Sequence, residues 1–129
     1  LYIYQNERVL RKCVNYVSLE NAVVGSSWAC GNSPLENIKL WQKLAGKVRT
    51  LRITGSAVMD LIYTATGVFD CYIHNSLTPF DLGAGILFLK QAGLKYTNWK
   101  GEELTIFDRD IIAAPPKLFN EFYELLFNK

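Results

Sequence analysis

The segment Ala57–Thr66 constrains the fold more than any other, because as a helix it is apolar almost all round. Such a helix has no broad polar face to give to water, so it is expected to be sandwiched between other layers of a domain. Gly67 ends it. The chain enters it from an extended stretch, residues 48–54 with Val48, Leu51 and Ile53 apolar, through the junction Gly55-Ser56-Ala57. It leaves into residues 68–74, which read as a further strand.

The remaining elements continue the alternation. Residues 21–26 form a short β-branched run bounded by turn formers and predict a buried strand. Ser33 as N-cap, Pro34 and Glu36 open an amphipathic surface helix with Leu35, Ile38, Trp41 and Ala45 on one face, ending at Gly46. A helix is expected over Pro79–Ala92, stopped by Gly93, then a strand over residues 94–99 and a last short strand at Ile111–Ala114. Pro115-Pro116 opens a final helix whose Leu118, Phe119, Phe122, Leu125 and Leu126 make one apolar stripe. Strands alternating with helices imply a layered α/β fold: a mixed, mostly parallel sheet flanked by helices.

With 129 residues, half of them apolar and a fifth charged, the chain suits a single α/β domain over residues 1–129. No apolar run approaches the ~18 residues that cross a bilayer, so no membrane partner is expected. Cys13, Cys30 and Cys71 are odd in number and never spaced C-x-x-C, which fits a reduced, cytoplasmic setting better than a disulfide framework or zinc ribbon. Net charge is +2, and no face gathers enough Lys and Arg to bind a nucleic acid polymer. The chain opens at Leu1 on Leu1-Tyr2-Ile3-Tyr4, which reads as the middle of a strand and leads to the expectation of a fragment.

In such folds ligands gather where strands end and helices begin, because free backbone N–H groups and the helix dipole attract anions there. Two junctions qualify. At Arg52-Ile53-Thr54-Gly55-Ser56-Ala57, Gly55 lets a ligand approach the backbone and Ser56 offers a hydroxyl. The alternative is a plain turn with Ser56 as N-cap. At the second junction, running from His74 to Gly85, Asp81 lies in the first turn of a helix that carries no further charge until Lys90. It is read either as a ligand-binding carboxylate or as the third position of a capping box opened by Thr78 and Pro79.

The residue inventory removes other chemistries. With His74 as the single histidine, multi-histidine zinc sites are excluded, and no G-x-S-x-G elbow supports a Ser56/His74 hydrolase. Dinucleotide and P-loop glycine signatures are absent. Cys71, inside an apolar strand, reads as inert packing.

Taken in order, Gly55-Ser56-Ala57 with Asp60, the run from Gly67 to Tyr72, and Pro79-Phe80-Asp81-Leu82-Gly83-Ala84-Gly85 with Ala92-Gly93 resemble the C-terminal half of the inositol monophosphatase family. Ser18-Leu19-Glu20-Asn21-Ala22 and the tail from Ile111 to Pro115 also fit. The resemblance implies a magnesium-dependent phosphomonoesterase of small phosphorylated alcohols, inositol phosphates, sugar phosphates or nucleotide 3'-phosphates, with Mg²⁺ as cofactor. It further implies Asp81 as a metal ligand that can also cap its helix, and Gly55, Ser56, Ala57 and His74 as substrate-binding residues.

Departures from the family pattern are Phe80 for tryptophan, Gly83 for alanine, Leu94 for a glycine and, bearing on specificity, His74 where the animal inositol enzymes carry a glutamate. The family's other metal ligands, a glutamate and a D-P-x-D-G-T motif, belong to a preceding N-terminal half and do not occur here, so no catalytic group is assigned within this chain. The resemblance therefore implies a chain inactive alone, a missing N-terminal half as its partner, and a homodimer at full length. The rival reading is a non-catalytic binding or assembly module that retains the fold.

Overall fold

In the computed structural model the described residues are 4–5, 8–9, 17–28 and 34–128. The expected Ser33 cap and most of the Leu1-to-Tyr4 run lie outside them, as do Cys13 and Cys30. Two short strands, β1 (Tyr4–Gln5) and β2 (Arg8–Val9), pair antiparallel.

The body is a five-stranded sheet with helices on both faces. Its strands are β3 (Val23–Gly25), β4 (Thr50–Arg52), β5 (Cys71–His74), β6 (Lys95–Thr97) and β7 (Ile111–Ala114), in the order β4-β3-β5-β7-β6. β3 pairs parallel with β4 and β5, while β7 runs antiparallel to both β5 and β6. Four strands thus share one direction, the mostly parallel sheet expected from the alternation of elements. The helices are α1 (Pro34–Leu44), α2 (Ala57–Thr66), α3 (Pro79–Ala92) and α4 (Pro116–Phe127). Among the described residues no helix is long and apolar enough to cross a membrane.

The period-2 alternation of side chains splits the buried strands between two cores. Cys71 and Ile73 of β5, with Ile112 and Ala114 of β7, pack under Leu40 and Leu44 of α1 and Leu118, Phe119, Phe122 and Leu126 of α4. Tyr72, Ile111 and Ala113 face the other way, onto Leu61 and Ala65 of α2 and Leu82, Leu89 and Ala92 of α3. Gly85 sets how closely α2 and α3 approach, because a Cβ there would overlap the Leu61 side chain.

Three expectations change. Strands β4, β5 and β6 are shorter than the extended runs that contain them. For β5 the reason is that residues 67–69 still complete α2: Gly67 sits in the left-handed region at φ 83° and Phe69 N–H donates to Tyr63 C=O. The buried face of α1 is also rotated from the one expected: Leu35 is 63% exposed and Ala45 is exposed, while Asn37, Leu40 and Leu44 are buried. The physical cause is polar. Asn37 Nδ2 donates to Ser27 C=O and Trp41 Nε1 donates to Ser26 Oγ, so the helix docks through a satisfied amide that a hydrophobicity pattern assigns to solvent. Finally, α2 is held on two sides, by the sheet and by α3, and leaves Met59 40% exposed on its outer side.

Candidate functional site

From β3 the chain passes through α1 to β4 on one side, then through α2 to β5 on the other, with α1 and α2 on opposite faces. That reversal makes β3 a topological switch point, and the crevice outside the carboxyl ends of such strands is where open α/β sheets bind ligands. Both junctions singled out in the sequence lie there: residues 53–56 follow β4 and residues 75–78 follow β5.

At the first junction Gly55 has φ 88°, a left-handed conformation that explains the glycine, and a Cβ there would meet nothing within 4 Å. Exposed Ser56 is the N-cap of α2, accepting from Met59 N–H at 3.4 Å, and Ala57 is the first helical residue. The loop is pinned from below by a residue that the sequence reading left without a role. Asp60 is buried in the first turn of α2, and the Thr54 hydroxyl donates to its Oδ1. Thr54 Oγ1 in turn accepts from Ser56 N–H at 3.2 Å. Burial raises the Asp60 pKa, and the Thr54 hydrogen bond works against that rise. The available signal was Asp60 itself, the single carboxylate of an otherwise uncharged helix.

At the second junction the capping box is complete. Asp81 N–H donates to Thr78 Oγ1 at 3.4 Å, while Thr78 N–H and the Thr78 hydroxyl both donate to Asp81 Oδ2 at 3.0 Å. Both of these carboxylate contacts fall on Oδ2, on one side of a half-buried group.

His74 closes β5 between the two helix starts. It is 7% exposed, and its Nδ1 shares a 2.9 Å hydrogen bond with the hydroxyl of fully buried Tyr72. Burial pushes the His74 pKa down to about 4, and Asp81 opposes part of that fall, so the ring is neutral at pH 7. The Tyr72 phenol is held well above its usual value by burial first, then by the charges of Asp60 and Asp81. Tyr72 is thus within electrostatic reach of both helix starts, and His74 is its hydrogen-bonded neighbour. Cys71, buried on the opposite face of β5, takes no part: burial raises its thiol pKa and leaves it unreactive packing, as expected.

The sequence profile of the inositol monophosphatase family matches residues 4–127. The chain belongs to that family. Among curated relatives it is 31% identical over 124 residues to the inositol-1-monophosphatase of Bacillus subtilis, covering 94% of this chain and 46% of that protein. It is 28% identical over 123 residues to a putative Nus factor SuhB of Neisseria meningitidis, covering 94% and 47%. The crystal structure of the extragenic suppressor protein suhB from Bartonella henselae superposes with a TM-score of 0.85 at 24% identity, over 95% of this chain and 47% of that one, which shows the shared fold. The chain thus spans about half the length of the family members it matches.

Among the described residues no group of three or more His, Cys, Asp or Glu is placed to hold a metal ion. Asp81 fits a hard divalent cation in donor type, being an oxygen ligand. One carboxylate is far short of the roughly six oxygens such a cation takes.

Proposed function

We propose that this chain supplies the substrate-facing, metal-completing half of a magnesium-dependent phosphomonoesterase of small phosphorylated alcohols. The observation that carries the reading is the meeting of two helix starts at one switch-point crevice, with Asp81 at one and the Gly55-Ser56-Ala57 loop at the other. Helix N-termini favour a phosphate ester over a neutral ligand. In this reading Gly55, Ser56 and Ala57 form the wall beside the alcohol portion, and the Thr54–Asp60 hydrogen bond fixes that wall to α2. His74 contacts the substrate from the floor. Asp81, already oriented through Oδ2 by Thr78, offers a carboxylate oxygen to Mg²⁺. Bound magnesium supplies Lewis-acid polarisation of a phosphoryl oxygen and an acidified water.

The other ligands come, in this proposal, from the half of the family fold that this chain does not span, seated on the outer face of α2 and α3. That face carries Met59, Phe80 and Leu87 at 40%, 91% and 43% exposure, and Gly83 and Ala84 are exposed beside them. Phe80, Gly83, Ala84 and Leu87 fall at helical spacing on one side of α3, and an exposed apolar stripe on a helix is a usual mark of a packing partner.

A second reading, a binding or assembly module, is favoured by the relative named as a putative Nus factor. One experiment separates the two. The chain is co-expressed with the part of the Bacillus subtilis relative that it does not match, and the purified product is assayed for phosphate release with and without Mg²⁺. The phosphatase reading expects a co-purifying complex with Mg²⁺-dependent turnover that Asp81→Asn abolishes. A complex without turnover supports the module, and absence of any complex contradicts the docking face.

A further inference from the structure

A phenol and an imidazole joined by one hydrogen bond leave open which of them donates. The surroundings decide it here. Tyr72 is fully buried, so its hydroxyl proton is shielded from bulk solvent. Among the described residues its hydroxyl has one hydrogen-bond partner, His74 Nδ1 at 2.9 Å. Were the ring to donate from Nδ1, the phenol proton would be buried without an acceptor, which costs its desolvation with no bond in return. With the phenol donating, both atoms are satisfied. The ring then accepts at Nδ1 and, being neutral, carries its proton on Nε2.

We propose that Tyr72 is a positioning residue that locks His74 into a single neutral tautomer, Nε2–H, making the end of β5 a fixed hydrogen-bond donor. Three features make the lock rigid. The two residues lie two apart on one strand and so share a face. Their rings meet edge to face, with centroids 5.9 Å apart and planes at 76°. Both are buried beneath α2 and α3. The depressed basicity of the ring is consistent with the same arrangement. Only the use of this donor, to meet an acceptor atom of a substrate, rests on the phosphatase reading; the tautomer itself does not.

Because His74 is the single histidine, long-range proton–nitrogen NMR on chain labelled with ¹⁵N-histidine reports this one ring without overlap. At pH 7 the expected spectrum shows one protonated nitrogen, Nε2, with Nδ1 as acceptor. Tyr72→Phe removes only the hydroxyl and is expected to abolish the single-tautomer pattern, giving an average of both forms while the backbone amide spectrum stays dispersed. An Nδ1–H ring in the unaltered chain overturns the proposal, whatever the variant does. So does a Tyr72→Phe chain that keeps a pure Nε2–H ring. Neither result touches the phosphatase reading, which fails separately if the co-expressed halves release no phosphate.

Discussion

The two faces of the central sheet are built in opposite senses. On one, α1 and α4 bury Leu40, Leu44, Leu118, Phe119, Phe122 and Leu126 and turn Lys39, Gln42, Lys117, Glu121 and Glu124 outward. On the other, α2 and α3 hold Asp60, Thr64 and the Tyr72–His74 pair inside and show Met59, Phe80 and Leu87 outside. The first is largely apolar within and charged without, with buried Asn37 and exposed Leu35 as its exceptions. The second keeps Asp60, Thr64 and the Tyr72–His74 pair beneath the helices and leaves Met59, Phe80 and Leu87 uncovered, the face that the proposed reading gives to the missing half. The site and the open face therefore have one explanation: the same two helices carry both.

Five outcomes would break or sharpen this contrast. The largest is expected on the first face, where Phe122→Ala removes a fully buried ring and should cost about 3–5 kcal/mol in denaturant unfolding. Next comes pH. The folded value of His74, about 4, lies below its ordinary 6.5, so between these limits the unfolded chain binds the extra proton and stability falls as the solution is acidified. The loss by pH 4 should reach about 3 kcal/mol. Comparing unfolding at pH 7 and pH 5 should show a slope that His74→Gln flattens; the raised value of Asp60 works in the opposite direction at the acid end.

Gly85→Ala drives a methyl into Leu61 and should cost about 1–3 kcal/mol by parting α2 from α3, while the same change at exposed Gly83 meets nothing and should stabilise by about 0.5–1 kcal/mol. Asp81→Ala removes the capping box and is expected to cost about 1 kcal/mol in the same unfolding experiment. The smallest effect on stability, within about 0.5 kcal/mol, belongs to Phe80→Ser on the open face. There the readout is sedimentation. The unaltered chain should self-associate through its uncovered helices and the variant should do so less; equal behaviour of the two would detach Phe80 from the contrast.

The sequence carried the layered architecture because strand and helix periods alternate cleanly and because Pro79, Gly67 and Gly93 mark helix ends by their own backbone preferences. It carried both junctions as well. Asp81 and Ser56 each stand at a cap position that also offers an oxygen to a ligand, and both caps are present. What it could not carry depended on which particular polar side chains meet in the folded chain. The rotation of α1 follows from Asn37 reaching the Ser27 carbonyl, and no hydrophobic pattern contains that bond. The pinning of the Gly55 loop depends on Thr54 and Asp60 meeting across a turn. The state of His74 depends on Tyr72, two residues away on a strand whose register alone turns both inward.

The central claim is that the crevice holds half of a metal site. It is tested most directly by following phosphate release from small phosphomonoesters with this chain by itself, in excess Mg²⁺. The account predicts no release above the enzyme-free rate, since Asp81 has no companion ligands among the described residues. Magnesium-dependent turnover by the chain alone, abolished by Asp81→Asn, would contradict it.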